Sequence, residues 1–181
     1  MCRAQKRWKV SSTKMANSTS SFDVTTSVDL QEVDNAVNQA DKEITQRFDF
    51  KGAKVSIEFK RVEGLLILLA DSDMRMDALY DVLYAKLIKR GVPVRNLDVG
   101  DAKPAGGDTL RREIKLKMAL DSDTAKKVAA HIKEAKLKKV QAAIQADQVR
   151  VSSPSKDDLQ EAMALLRKGD FGVELKFGNF R

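Results

Sequence analysis

The chain has 181 residues, 43% of them apolar and 33% charged, a composition typical of a folded soluble protein. Its formal net charge is +7, but five cations lie without any acid in residues 1–20, which leaves +2 on residues 21–181. This near-neutral remainder does not predict binding to duplex nucleic acid. No apolar run approaches the ~20 residues that a membrane span needs.

Residues 1–20 are expected to form a disordered basic tail outside the fold. Two interpretations stay open: an arm that contacts phosphates, or residues upstream of a true start at Met15, shortly before the first predicted strand. The tail lacks the apolar core of a secretory signal. It also holds Cys2, the only cysteine, so we expect neither a disulfide nor a CxxC zinc site. Together these features predict a cytoplasmic protein.

The first half of the chain alternates between strand and helix patterns. Asp29 followed by Glu32 has the spacing of a capping box at the start of the first helix. Leu65–Ala70 is apolar on both sides, which predicts a strand covered on both faces. Six elements are predicted in chain order: a strand at 22–28, a helix at 29–49, strands at 54–60 and 65–70, a helix from Ser72 or Asp73 to Gly91, and a strand at 92–99.

The second half repeats this order after a loop that contains Pro104, Gly106 and Gly107. Its predicted elements are a strand at 110–118, a helix from Asp121, strands at 140–144 and 149–151, a helix capped by Ser153 with Pro154 at its first position, and a strand at 173–177. Two copies of β-α-β-β-α-β predict an α+β fold with two antiparallel sheets, each carrying helices on one face. We expect one domain at 21–101, a linker at 102–108 and a second domain at 109–181.

The sequence contains no strong enzyme or metal signature. His131 is the only histidine and lies in a predicted helix among lysines, without a Ser-His-Asp arrangement. Carboxylates lie mostly at helix caps and surfaces, and neither a P-loop nor a GxGxxG pattern occurs. We therefore expect a non-enzymatic binding protein without a catalytic site, metal or cofactor. If the protein were an enzyme, the alternative would be an acylphosphatase-like protein, which uses an arginine and an asparagine around a phosphate. Asn35 and Asn179 are not obviously placed for that chemistry.

The predicted topology is shared with RNA-recognition motifs, which stack bases on aromatic residues of the two central strands. The corresponding strands here offer only Phe22, which we expect in the core. The second sheet instead presents a polar, mostly basic face. Its residues are predicted to be Arg111, Lys115 and Lys117 on one strand, beside Arg150 on the next. This pattern fits a phosphate-binding face. It also fits an ordinary solvated face, on which Glu113 and Glu174 reduce the positive charge.

Two further segments combine aromatic and charged residues. Arg47, Phe50 and Lys51 lie at the end of the first helix, a combination suited to base stacking and phosphate contact. The alternative is a helix exit anchored in the core, in which Phe48 is more readily buried than Phe50. The segment 171–181 is aromatic-rich at a position where chains usually fray, which predicts that it is docked against a groove between the domains.

Several of these stretches resemble the YajQ family of small bacterial proteins. The similar stretches are 21–37, 47–52, 87–93, 145–151 and 171–181, and the resemblance extends over residues 21–181. The resemblance implies two ferredoxin-like domains whose N-terminal strands can be exchanged between the two copies. It also implies nucleotide binding, since some members are described as cyclic di-GMP effectors that act through a transcription regulator or another protein partner.

The sequence and the resemblance together predict a nucleotide-binding protein that senses cyclic di-GMP and signals to a protein partner, without contact with a membrane. The predicted nucleotide-binding residues, chosen by charge and placement, are Arg47, Phe50, Lys51, Arg90, Arg111, Lys115, Lys117 and Arg181. The alternative is an RNA- or ribosome-associated protein that uses the basic sheet face. A purely structural or chaperone role is a third interpretation.

Overall fold

The computed structural model describes residues 19–137 and 139–181, so most of the expected basic tail lies outside the described residues. The described chain forms four helices, α1 (Leu30–Gln46), α2 (Asp73–Lys89), α3 (Ser122–Glu134) and α4 (Lys156–Lys168). Its nine strands are β1 (Ser20–Thr25), β2 (Ser56–Lys60), β3 (Leu65–Ala70), β4 (Leu97–Val99), β5 (Lys103–Ala105), β6 (Thr109–Leu116), β7 (Gln141–Gln145), β8 (Gln148–Ser153) and β9 (Lys176–Gly178). The predicted α+β class with antiparallel sheets is confirmed.

Short polar side chains begin the helices, as the sequence predicts. The Asp29 carboxylate accepts a hydrogen bond of 2.9 Å from the Gln31 N–H at the start of α1. The prediction for α4 is displaced by two residues, because Ser155 rather than Ser153 is the N-cap. The Ser155 hydroxyl accepts the Asp158 N–H, whereas the Ser153 hydroxyl accepts the Ser155 N–H and supports the turn before the helix.

The two sheets exchange their N-terminal strands. The first sheet has the order β2-β3-β6-β4, with β5 also paired to β6, and the second has the order β7-β8-β1-β9. Strand β1 therefore pairs with β8 and β9 from the far end of the chain, and β6 fills the matching place in the first sheet. The strand exchange that the family resemblance implies is present in this structure.

Because of this exchange, the two expected domains, 21–101 and 109–181, do not coincide with the two sheets. The expected first domain contains β1, which belongs to the second sheet, and the expected second domain contains β6, which belongs to the first. The expected linker contains β5, which pairs with β6. Each lobe is therefore built from both halves of the sequence, and the contiguous boundaries do not describe the sheets.

Each hydrophobic core depends on the strand that it receives from the other half. In the second lobe, Phe22 and Val24 of β1 are fully buried among residues of α3, α4 and β8. In the first lobe, Ile114 of β6 is fully buried with residues of α1, α2 and β3. Burying such side chains contributes about 1.5–3 kcal/mol each, so neither lobe is complete without the exchanged strand.

Strand β3 is buried on both faces at its centre, as its apolar sequence predicts. Leu66 and Leu68 face the helices and are fully buried. Ile67 points to the opposite face and is only 3% exposed, between its register partners Glu58 and Glu113. The helix-free face of the first sheet thus has an apolar centre and charged neighbours.

The two lobes are joined by a buried amide, Asn96, whose side chain is fully enclosed. Its Nδ2 donates to the Thr26 hydroxyl at 2.7 Å and to the Lys117 carbonyl at 3.0 Å. Its Oδ1 accepts the Glu174 N–H at 2.8 Å. Thr26 follows β1, Lys117 follows β6, and Glu174 precedes β9, so one side chain binds both exchanged strands where they leave their sheets.

The helix-free face of the second sheet is organised around a buried carboxylate. Asp23 of β1 is 3% exposed and accepts two hydrogen bonds from Arg150 of β8, at 2.7 and 2.9 Å, and a third from the Asn179 amide. Hydrogen bonds from the Arg150 guanidinium are the main cause that lowers the pKa of Asp23 from 3.8 to about 2.

The predicted basic face of the second sheet is therefore wrong. Arg111 and Lys115 lie on β6 in the first sheet and Lys117 follows that strand, whereas Arg150 lies on β8 beside β1. The physical reason is the strand exchange, which sequence periodicity does not reveal. Arg150 is neutralised by Asp23 rather than placed among other cations.

Replacing Asn96 by Ala should destabilise the whole fold. The change leaves the Lys117 carbonyl and the Glu174 N–H without the side chain that satisfies them, at an expected cost of about 2–4 kcal/mol. Urea unfolding followed by circular dichroism measures this loss. Asn38→Ala, on the exposed side of α1, is the matched control and should change stability by less than about 0.5 kcal/mol. Equal stability of the two variants would contradict the role given to Asn96.

The Asp23 carboxylate should make stability depend on pH in the acid range. Because its pKa is lowered in the folded state, its contribution of about 2 kcal/mol is complete above pH ~4 and is lost as the pH falls toward 2. The stability difference between the native chain and Asp23→Asn should therefore shrink over this interval. Asp123→Asn, at an exposed ion pair with Lys126, is the control. A difference that stays constant from pH 6 to pH 2 would contradict this assignment.

Candidate functional site

The eight predicted site residues do not converge on one place. Arg111 and Lys115 share the helix-free face of the first sheet, and Lys117 lies just beyond β6, held by its backbone to Asn96. The others lie at three separate positions: Arg47, Phe50 and Lys51 at the end of α1, Arg90 at the end of α2 beside Glu32, and Arg181 beside β1.

The end of α1 is a helix exit that Phe50, and not Phe48, anchors in the core. Phe50 is 4% exposed and belongs to the first core, whereas Phe48 is 87% exposed, the reverse of the order expected from the sequence. A short 3-10 turn over Phe48–Phe50 directs the second ring inward. Arg47 lies 5.4 Å above the Phe50 ring and donates two hydrogen bonds to Asp49, at 3.1 and 2.8 Å. The Phe50 ring is therefore not free to stack on a base.

A charged groove of about 420 Å³ lies on the helix-free face of the first sheet. Its lining consists of Asp98, Gly100, Asp101, Lys103, Pro104, Arg111, Glu113 and Lys115. Three cations face three acids, and Arg111 is already paired with Glu113 at 2.7 Å. This first-sheet groove has no net charge and no aromatic residue, so it fits a nucleotide poorly.

A bulge shapes one wall of the first-sheet groove. The Gly100 N–H donates to the Glu113 carbonyl at 2.8 Å between β4 and β5. A Cβ at this position would lie 2.9 Å from the same carbonyl oxygen, so only glycine allows this approach without a backbone shift.

A larger groove of about 730 Å³ lies between β1, α4 and the last residues of the chain, and we call it the C-terminal groove. Its lining consists of Ser20, Ser21, Phe22, Lys156, Leu159, Gln160, Met163, Phe180 and Arg181. This volume is within the ~300–1,000 Å³ range of small-molecule sites. The groove was not predicted as a site, although Arg181 was.

Helix α4 supplies one wall of the C-terminal groove. Lys156, Gln160 and Met163 are spaced by four and three residues, so they form a single stripe along the helix. Leu159 lies beside this stripe and is buried in the second core. The Ser155 cap fixes the start of the helix next to Lys156. The wall therefore offers a cation at one end, an amide in the middle and apolar side chains along its length.

The opposite wall is held by the C-terminal segment, which is docked as the sequence predicts, although its last residues lie within the second lobe and not in the expected groove between the domains. It docks along β1 in the second lobe: Ser21 and Arg181 exchange two backbone hydrogen bonds, of 3.0 and 2.9 Å. The Phe180 ring lies 6.1 Å from the buried Phe22 ring and remains 64% exposed. An exposed aromatic ring on a fixed backbone offers a stacking surface for a planar group.

The Arg181 end of the groove is connected to the buried Asp23. The Arg181 Nε lies 3.4 Å from the Asn179 side-chain oxygen, and the Asn179 amide donates to Asp23. The two cations of the lining, Lys156 and Arg181, have no carboxylate beside them among the lining residues. The C-terminal groove is thus a positively charged, partly apolar site with one exposed aromatic ring.

Sequence reasoning found only part of this site. The aromatic-rich end of the chain was a usable signal for Phe180, and charge identified Arg181. Lys156, Gln160 and Met163 carried no signal, because their position beside β1 depends on the exchanged strand.

The described residues contain neither a metal-binding cluster nor a membrane-spanning helix. No group of three His, Cys, Asp or Glu side chains within 19–137 and 139–181 is arranged to hold a metal ion. None of the helices described is both long and apolar enough to cross a membrane. His131 packs edge-on against the Phe171 ring, at 5.4 Å between ring centres, which is a packing role.

Comparison with known proteins gives the family. Residues 20–181 match the family described as "Nucleotide-binding protein YajQ-like". The chain is 48% identical over 162 residues to a protein named nucleotide-binding protein from Desulfitobacterium hafniense, which covers 90% of this chain and 98% of the relative. Similarly named proteins from Magnetococcus marinus and an Exiguobacterium species are 48% and 47% identical over 161 residues, covering 89% of this chain and 98% and 97% of the relatives. The match over nearly all of the described residues shows that the chain belongs to the YajQ-like family.

Proposed function

We propose that this protein binds a nucleotide in the C-terminal groove and acts as a cyclic di-GMP effector rather than an enzyme. The observation that carries the proposal is the described lining of the groove, which holds two cations and an exposed aromatic ring but no aspartate or glutamate. The names of the relatives, which call them nucleotide-binding proteins, support the same ligand class.

The chemistry of the lining fits a dinucleotide in three respects. Lys156 and Arg181 supply one cation for each of two phosphates, and charge-assisted hydrogen bonds of this kind are the strong ones. Phe180 offers its ring to a purine base, with Met163 and Leu159 as apolar support. The Gln160 amide offers both a donor and an acceptor to the edge of a base.

The composition of the lining favours an effector role over catalysis. The hydroxyls of Ser20 and Ser21 are present, but the described lining holds no histidine or carboxylate that could act as their base. The ligand would instead cover the exposed Phe180 ring and change the surface that a protein partner, such as a cytoplasmic transcription regulator, contacts.

The alternative RNA-associated role loses the feature on which it rested. Its basic sheet face required Arg111, Lys115 and Arg150 on one sheet, and the strand exchange places them on two. The structure therefore does not support a basic sheet face as the surface for single-stranded RNA.

Removing either cation of the groove should weaken nucleotide binding. Loss of one charge-assisted hydrogen bond costs about 1.5–3 kcal/mol, so Lys156→Ala and Arg181→Ala should each raise the Kd for cyclic di-GMP about 10- to 100-fold. Titration calorimetry with cyclic di-GMP, GTP and a short single-stranded RNA, at two salt concentrations, measures this.

The matched control is Lys168→Ala, which removes an exposed lysine from the other end of α4 and should leave the Kd unchanged. Weakened binding in Arg111→Ala, with no effect of Lys156→Ala, would move the site to the first-sheet groove. Salt-sensitive RNA binding without any heat from the dinucleotide would contradict the effector proposal.

The aromatic ring should contribute separately from the charges. Phe180→Leu keeps an apolar side chain but removes the stacking surface, which we expect to cost about 1–3 kcal/mol of binding free energy. Its effect should hardly change between low and high salt, whereas the effect of Lys156→Ala should diminish at high salt. Phe48→Leu, which alters the other strongly exposed phenylalanine, should leave the affinity at its native value. A Phe180 variant with native affinity would show that the ring takes no part.

A further inference from the structure

The structure contains one sheet edge that differs from the others. Edge strands expose unpaired backbone groups, and proteins usually protect them with charges or proline. Among the described strands, β2 carries Glu58 and Lys60, β4 carries Asp98, β5 carries Lys103 and Pro104, and β9 carries Lys176. The edge strand β7 reads Gln141-Ala142-Ala143-Ile144-Gln145 and has none of these protections.

Most side chains of β7 are exposed to solvent. Ile144 lies on the side of the sheet that carries the second core, yet it is 47% exposed. Gln141, Ala143 and Gln145 are exposed as well. The strand therefore presents an apolar residue between two amides, together with a free row of backbone donors and acceptors.

We propose that β7 pairs with β7 of a second copy of this chain, so that the second sheet continues across a twofold axis. The sequence of the strand is complementary to itself when it runs antiparallel around Ala143. In that register Gln141 lies opposite Gln145 of the second copy, and Ala142 lies opposite Ile144. A small side chain thus meets a large one, and two amides meet on each side.

The residues that flank β7 extend this complementarity to charge. The same register brings Lys139 of one copy, just before β7, to the end of the paired strands where the other copy has its β7–β8 turn with Asp147. Within one chain these two residues lie at opposite ends of β7, which separates them by the length of the strand. These two residues can therefore attract each other at close range only between copies, at the two ends of the paired strands.

Cysteine cross-linking tests the register directly. In a Cys2→Ser background, which removes the only native cysteine, Ala143→Cys places two thiols opposite each other at the axis. Paired residues across antiparallel strands have Cα atoms ~4.5–5.5 Å apart, within the range of a disulfide. Gln141→Cys is the matched control, because residue 141 of the two copies would lie about 13 Å apart. Oxidised glutathione should cross-link Ala143→Cys about 10-fold faster or more than Gln141→Cys.

A mixture of two variants gives a second, independent readout. Gln141→Cys and Gln145→Cys should each remain uncross-linked alone, and should cross-link to one another when the two proteins are mixed. Equal rates for Ala143→Cys and Gln141→Cys, or no cross-linking in the mixture, would overturn the proposed register.

Charge reversal tests the association without cysteines. Sedimentation velocity over a range of concentrations should show a dimer whose Kd rises about 3-fold or more in Lys139→Asp and in Asp147→Lys. The double variant Lys139→Asp/Asp147→Lys restores opposite charges between copies and should recover the native Kd. A monomer at all concentrations, or a double variant weaker than both single variants, would overturn the proposal.

Discussion

The fold depends on the hydrogen bonds of one buried amide, the Asn96 side chain. Where β1 and β6 cross into the opposite lobes, backbone groups beyond the strands are removed from water and need partners. Asn96 supplies them by donating to Thr26 and Lys117 and accepting from Glu174. Without these hydrogen bonds, buried polar groups at the ends of the exchanged strands would have no partner. The loss in free energy of unfolding would be a large part of the total stability of a small domain.

The exchange also explains where the candidate site lies. Strand β1 brings Asp23 beside Arg150, and this pair holds Asn179, which in turn orients Arg181. The same strand forms the floor of the C-terminal groove against α4. The groove is therefore made of the N-terminal strand, the C-terminal residues and a helix of the second half. A ligand bound there would contact the parts of the chain whose relative position depends on the exchange.

The sequence predicted local structure well and long-range placement poorly. Alternation and capping identified the four helices and every described strand except β5, although the strand expected at 92–99 is limited to Leu97–Val99. Phe22 and Val24 were correctly placed in a core. The sheet to which β1 belongs could not be read from periodicity, because the same alternating pattern suits either sheet. The predicted basic face failed for this reason. The prediction that Phe48 is more readily buried than Phe50 failed for a different reason. The direction of a ring in a 3-10 turn depends on backbone geometry, which residue spacing does not determine.

Chemical-shift mapping of the full chain during titration with cyclic di-GMP distinguishes the two grooves as nucleotide sites. If the C-terminal groove binds the nucleotide, we expect saturable shifts of the backbone amides of Ser21, Lys156, Gln160 and Phe180, which line it, with small changes elsewhere. Saturable shifts confined to Arg111, Glu113 and Lys115, in the first-sheet groove, would contradict it.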